Sequence, residues 1–254
     1  PLSYSQERLW FIDRLDASSV QYHIKTVLRL KGKLNIKALE DSLKAIIDRH
    51  EVLRTVFAEE EGKVYQQIKD ISEWKLNIIE GEEYRNDVDK LKEFVKNLIS
   101  TPFDLSNDYM LRADLIKLDD DENLFVVTMH HIASDGWSQS ILVKEVVELY
   151  RSFDEGIDSA LIPLEIQYAD YAIWQRKYLT KEILDKKLDY WKKKLDSVPP
   201  VQLPIDFKRP SVQGTRGAAY GFNIDKSLTQ KVQELSQKNG ATMFMTLLAA
   251  FNVL

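Results

Sequence analysis

The chain has 254 residues, 44% of them hydrophobic and 30% charged, which suits one large or two smaller soluble domains with a sizeable core. Its 35 basic and 40 acidic residues leave a net charge of −5 and no basic stripe, which argues against nucleic acid as a partner. There is no cysteine, so disulfides, thiolate metal sites and a cysteine nucleophile are excluded.

The absence of cysteine also fits a cytoplasmic setting. No apolar run approaches the ~20 residues of a membrane span. The opening Pro1-Leu2-Ser3-Tyr4-Ser5-Gln6 lacks the basic start and apolar stretch of a signal peptide. The closing Phe251-Asn252-Val253-Leu254 stops inside an apolar helical pattern, so both ends read as cut from a longer polypeptide.

In chain order, Ser5 to Leu15 reads as a short helix, and Ile24 to Leu30 alternates as a strand. Lys31-Gly32-Lys33 is a turn. Asn35 caps a helix whose apolar positions Ile36, Leu39, Leu43, Ile46 and Ile47 keep helical spacing. Val64–Ile68 and Trp74–Ile79 are expected strands, and Asp87–Ile99 an amphipathic helix. Leu111–Leu118 and Leu124–Met129 read as two strands of a hairpin joined by the charged turn 119–123. Ser138 is the expected cap of a helix containing Ile141, Leu142, Val146, Leu149 and Tyr150. Residues 163–190 are rich in Tyr, Trp and helix formers.

Four prolines between 199 and 210 then break regular structure and mark a crossover. A strand over Ala218–Ile224, a helix over Leu228–Lys238 and an apolar helix from Thr242 follow. Strands and helices mix without strict alternation, which predicts an α/β (α+β layered) domain with a mixed sheet. Trp10, Trp137, Trp174 and Trp191 are expected to pack in the core or between lobes.

The run His130-His131-Ile132-Ala133-Ser134-Asp135-Gly136 stands between a strand and a helix. Adjacent residues at a strand end point to opposite sides, so one imidazole faces a cleft while the other packs inward. That works against a metal site, where both rings must converge on one ion. A lone cleft-facing imidazole suits proton transfer, its ordinary pKa being ~6.5. Asp135 is near in sequence, but no Gly-x-Ser-x-Gly elbow is present, so a catalytic triad is not indicated. Asp135 instead pairs with an arginine to fix the loop. Gly136 lets the chain turn tightly and can aim its N–H at a developing oxyanion.

His130-His131-Ile132-Ala133-Ser134-Asp135-Gly136-Trp137-Ser138 resembles the HHxxxDGxS signature of nonribosomal peptide synthetase condensation domains, in the chloramphenicol acetyltransferase-like superfamily. Four more segments, in the family's order, resemble its other motifs: Leu2–Phe11, Arg49–Phe57, Tyr168–Gln175 and Leu203–Pro210. The resemblance implies two acetyltransferase-like lobes with a tunnel between them. Carrier-bound donor and acceptor thioesters enter from opposite faces, and the acceptor amine attacks the donor thioester to form a peptide bond. It implies an N-terminal lobe over 1–175, a crossover over 176–215 and the start of an incomplete second lobe over 216–254.

By the same resemblance His131 is the residue at the chemistry, acting as general base or positioning the amine. His130, Asp135 and Gly136 support it. Arg49 or Arg54 supplies the cation that Asp135 needs if it is buried, and Trp137, Ser138, Tyr168 and Asp170 are candidates to line the tunnel. No metal or cofactor is bound directly; phosphopantetheine arms come from upstream and downstream peptidyl carrier domains. An adenylation domain and the remainder of the second lobe are the other implied partners.

Weak or no activity is expected of the isolated chain, and the opening motif leans toward an L donor. His50 is read as packed or solvated rather than reactive, His23 as incidental, and the Asp41-Ser42-Leu43 tripeptide as an ordinary helix stretch rather than a carrier attachment site. The alternatives are a related acyltransferase or epimerising member, and a non-catalytic member that docks a carrier or another protein. A heterocyclising member would replace the first histidine by Asp, and this chain keeps His130.

Overall fold

The computed structural model describes residues 1–16, 19–211, 217–218 and 220–253. It divides into two compact units, Pro1–Val201 and Gln202–Leu254.

The first unit is built on a four-stranded mixed sheet with the order β1-β6-β5-β4. β1 (His23–Lys31) and β5 (Leu111–Asp119) flank β6 (Glu122–His130) antiparallel, and β4 (Asn77–Glu80) runs parallel to β5. The hairpin between β5 and β6 is the one expected from the acidic turn. β4 is shorter than the expected Trp74–Ile79. Trp74 lies before it, buries its ring in the core and donates its indole N–H to the Leu111 carbonyl at 2.9 Å.

Side-chain alternation assigns the two faces of this sheet. Leu111, Ala113, Leu115, Phe125 and Met129 form one core with the apolar stripe of α2 (Ile36–Arg49), including Leu39, Leu43, Ile46 and Ile47. α4 (Gly136–Glu155) packs beside α2 on the same face. Ile116, Leu118, Leu124 and Val126 face the other way, against α3 (Val88–Ile99). Asn35 caps α2 through the Ala38 N–H at 3.1 Å, as its position predicts.

α1 (Tyr4–Leu15) begins with a capping box in which Ser3 Oγ accepts from the Gln6 N–H and the Gln6 side chain accepts from the Ser3 N–H. Its Leu9 joins Leu2, Phe57, Phe103, Met110 and Ile132 in a third cluster at the end of β6. β2 (Thr55–Glu60) and β3 (Lys63–Ile68) form a separate hairpin. Its two turn residues, Glu61 and Gly62, both have positive φ (50° and 75°), the pairing that matches strand twist. α5 (Tyr168–Tyr178) and α6 (Lys181–Lys194) complete the unit.

Three of the tryptophans named from the sequence lie outside the core: Trp137 is 82% exposed, and Trp174 and Trp191 are also exposed. Trp174 instead stacks on Tyr178, with centroids 5.0 Å apart along one face of α5. Trp10 is half-buried against the third cluster. The tryptophan of the core is Trp74, fixed by its backbone hydrogen bond.

In the second unit α7 (Lys226–Lys238) is capped by Asp225, and α8 (Met243–Val253) follows a turn at Gly240. Ser236 Oγ and Thr246 Oγ1 tie the two helices at 2.7 Å. The described residues of the expected strand Ala218–Ile224 are irregular, and Ala219 lies outside the described residues. A strand needs a neighbour for its backbone groups, and the described residues of this unit contain none.

Candidate active site

β6 ends by delivering two histidines to opposite sides. The His130 N–H donates to the Met110 carbonyl at 3.1 Å, and the His131 N–H donates to the Tyr22 carbonyl at 2.8 Å, so the backbone is held from both flanking segments. His130 is 3% exposed and His131 is exposed, the opposition that the strand period predicts.

The buried side is an aromatic and cationic nest. His23 lies directly across from His130 in the β1–β6 register, with ring centroids 6.2 Å apart. Phe103 meets both rings edge-on, and the Arg112 guanidinium lies 3.8 Å from the centre of the Phe103 ring. His130 Nδ1 accepts the Ile132 N–H at 3.1 Å, which leaves Nε2 to carry the proton. Burial, with smaller contributions from His23, His131 and Arg112, pushes its pKa down to about 4. His130 is therefore neutral at pH 7 and holds the loop rather than entering it. Burial also lowers the pKa of His23, whose Nδ1 lies 2.9 Å from the Ile99 carbonyl oxygen. Nothing in the sequence marked His23, because only strand pairing places it beside His130.

The open side is a cleft of about 490 Å³. α1 contributes Gln6, Arg8 and Leu9; the loop after β6 contributes His131, Ser134 and Asp135, and the first turn of α4 contributes Ser138; Leu164 and Ile166 lie before α5, and Tyr168 begins it. Ser138 and Tyr168 line this cleft, and Trp137 and Asp170 do not. Tyr168 donates to or accepts from Ser3 Oγ at 3.0 Å, and burial raises its pKa. Asp170 accepts the Gln167 N–H at 2.9 Å as part of the α5 cap.

Asp135 corrects two expectations. It is itself the cap of α4, accepting the Ser138 N–H at 2.8 Å and the Ser138 hydroxyl at 2.7 Å, so Ser138 is its capping-box partner and not the cap. Hydrogen bonds from the Ser138 side chain, the Ser138 N–H and the Trp137 N–H hold its carboxyl below the usual range. Neither of the two expected arginines pairs with it among the described residues. Arg49 pairs with Glu145 at 3.3 Å, and Arg54 donates to the Lys69 carbonyl at 2.8 Å and pairs with Asp48 and Glu51. A surface carboxylate at a helix N-terminus finds its partners in the helix's own N–H groups and has no need of a buried cation.

Gly136 is the first residue of α4, and its backbone lies outside the left-handed region. A Cβ there would meet nothing within 4 Å. The glycine therefore makes no left-handed turn, and it leaves the start of the helix uncovered. Among the described residues no group of three or more His, Asp or Glu is placed to hold a metal ion.

His50, read from the sequence as packed or solvated, also lines this cleft. The signal that could have found it was its place inside Arg49–Phe57, one of the family-like segments. Only the meeting of α2 with α4 shows what it contacts.

The first unit is a mixed-sheet α/β lobe with one imidazole in a cleft and one sealed behind it, in keeping with the acetyltransferase-like fold that the sequence motifs imply. The condensation domain family profile matches residues 1–254, and the chain belongs to that family. It is 44% identical over its whole length to a linear gramicidin synthase polypeptide of Brevibacillus parabrevis and 43% identical over 99% of its length to malpibaldin synthetase of Mortierella alpina. It spans only 3% and 5% of those proteins. Among solved structures, the X-domain from teicoplanin biosynthesis in complex with OxyB aligns with a TM-score of 0.80 at 29% identity, covering 96% of this chain and 53% of that one. A four-domain nonribosomal peptide synthetase bound to AMP and glycine aligns with a TM-score of 0.82 at 23% identity, covering 99% of this chain and 19% of that one, and so shows a shared fold.

Proposed function

We propose that this chain supplies the histidine-bearing wall of a peptide-bond-forming site in a cytoplasmic nonribosomal peptide synthetase. The observation that carries the reading is the split between the two histidines: His131 is exposed in the cleft while His130 is buried, neutral and hydrogen-bonded behind it. In this reading residues 1–175 form the N-terminal lobe, 176–215 a crossover and 216–254 the start of the second lobe. The substrates are two thioesters on phosphopantetheine arms, brought by upstream and downstream peptidyl carrier domains. An adenylation domain loads the acceptor carrier.

His131 accepts a hydrogen bond or proton from the acceptor amine as its nitrogen attacks the donor carbonyl. The C–N bond forms, the C–S bond breaks, and the proton leaves with the thiol of the donor arm. His131 contributes by holding the lone pair of the amine in line, and its pinned backbone limits the geometries it samples. Asp135 and Ser138 keep the start of α4 in place beside it.

The test uses the complete synthetase module with both carriers loaded and dipeptide release measured by mass spectrometry. The wild type is expected to form dipeptide, and His131→Ala to lose most of that activity. No dipeptide from the wild type sinks the reading, and equal rates remove His131 from it. The X-domain relative was solved with OxyB. A wild type that forms no dipeptide while capturing a partner protein would move this chain to a docking role.

A further inference from the structure

His50 is a second cleft-lining imidazole that the reading above leaves without a task. It closes α2 and opens the 3-10 turn Glu51–Arg54, so its backbone sits at a fixed joint rather than in a loose loop. Its Nε2 lies 2.6 Å from Glu145 Oε2 on α4. Arg49 Nε lies 3.3 Å from the same oxygen, which balances the carboxylate's charge. The joint is tied again by Gln167, which donates to the Arg49 carbonyl at 2.9 Å and accepts the Glu51 N–H at 3.2 Å.

A carboxylate can only accept, so Nε2 carries the hydrogen of that bond. In the neutral ring the other nitrogen, Nδ1, then presents a lone pair. Among the described residues no protein group bonds Nδ1. A carboxylate that fixes one imidazole nitrogen and leaves the other to face a cleft is the arrangement that orients an imidazole toward a ligand.

We propose that His50 Nδ1 accepts a hydrogen bond from an N–H of the carrier-bound acceptor, with Glu145 and Arg49 acting as positioning residues. This deepens the peptide-bond-forming reading and rests on it. The N–H comes either from the amine or from an amide of the pantetheine arm.

Two substitutions separate contact from scaffolding, because the side-chain amide reaches different positions in each. His50→Gln places its amide where Nε2 stood, keeping the Glu145 bond and losing Nδ1. His50→Asn places a carbonyl where Nδ1 stood and loses the Glu145 bond. In the complete module, His50→Gln is expected to lower kcat/KM for the acceptor about tenfold, close to the worth of one hydrogen bond. Donor kinetics and thermal stability should stay at wild-type values, and His50→Asn should recover part of the loss. A His50→Gln enzyme with wild-type acceptor kinetics beside an impaired His50→Asn overturns the proposal and leaves a structural clamp.

An amino-acid methyl ester as acceptor, which has an amine and no arm amide, identifies the source. A defect that persists assigns the amine, and one that vanishes assigns the arm; either supports the contact. His131→Ala run in parallel keeps the two readings apart. If it is inactive while His50→Gln is normal, only this inference fails. If it is fully active, the reading beneath it fails.

Discussion

The two sides of the β6 terminus each receive one histidine and surround it in opposite ways. On one side, His130 sits with His23, Phe103 and Arg112, sealed from water. On the other, His131 and His50 share a cleft with Arg8, Asp135 and Tyr168. One peptide bond separates His130 from His131, yet burial, more than any neighbouring charge, carries the first toward a pKa of about 4. Environment, more than residue type, decides whether an imidazole is a strut or a reagent.

The sharpest way to break this contrast is to remove each ring in turn. His131→Ala should lower the rate of dipeptide formation by at least about 10²-fold, the lower end for loss of a positioned acid–base group. Its unfolding midpoint in urea should match the wild type, because the ring is exposed. His130→Ala should do the reverse. It leaves a cavity and an unsatisfied Ile132 N–H, so the unfolding free energy in urea should fall by about 2–4 kcal/mol. If His131→Ala proves the more destabilising variant, the assignment of inside and outside is wrong.

The pH dependence sharpens the same point. The unfolded imidazole, near 6.5, binds a proton before the buried one at about 4 does. The stability held by neutral His130 is therefore complete above pH ~6.5 and is lost as pH falls toward 4, by about 3 kcal/mol. Urea titrations at stepped pH should show this acid limb in the wild type and a shallower one in His130→Ala.

Smaller effects are expected along the loop. Asp135→Ala removes the cap of α4 and should cost about 1 kcal/mol, with most of it restored in Asp135→Asn. Loss of a buried ion pair would cost several times more, so the size of this effect separates a cap from an arginine partner. Gly136→Ala should leave stability unchanged within about 0.5 kcal/mol, since the added methyl meets open space. If the same variant loses activity, the uncovered start of α4 is needed by something that approaches it.

Periodicity and capping chemistry made most of the first unit legible in the sequence. The Asn35 cap, the apolar stripe of α2, the β5–β6 hairpin and the opposed histidines all follow from local rules, because they depend on spacing along one segment. The family-like segments made the histidine run interpretable. The failures are as instructive. Asp135 and Ser138 exchange the expected capping role, because two good cap residues three apart compete and the carboxylate prevails. The arginine partner for Asp135 dissolves because burial, on which it depended, is not a property of a dipeptide.

What the sequence by itself determined is most elements of the first unit, the α/β character and the two-sided placement of His130 and His131. Each comes from near-neighbour geometry. Only the tertiary structure decided which groups meet across distance: His23 opposite His130, Trp74 in the core while Trp137 is exposed, Arg49 and His50 on Glu145. Those meetings depend on strand register and on the packing of α2 against α4. Both are set by how apolar faces close over one sheet, a many-body outcome that no short window of residues contains.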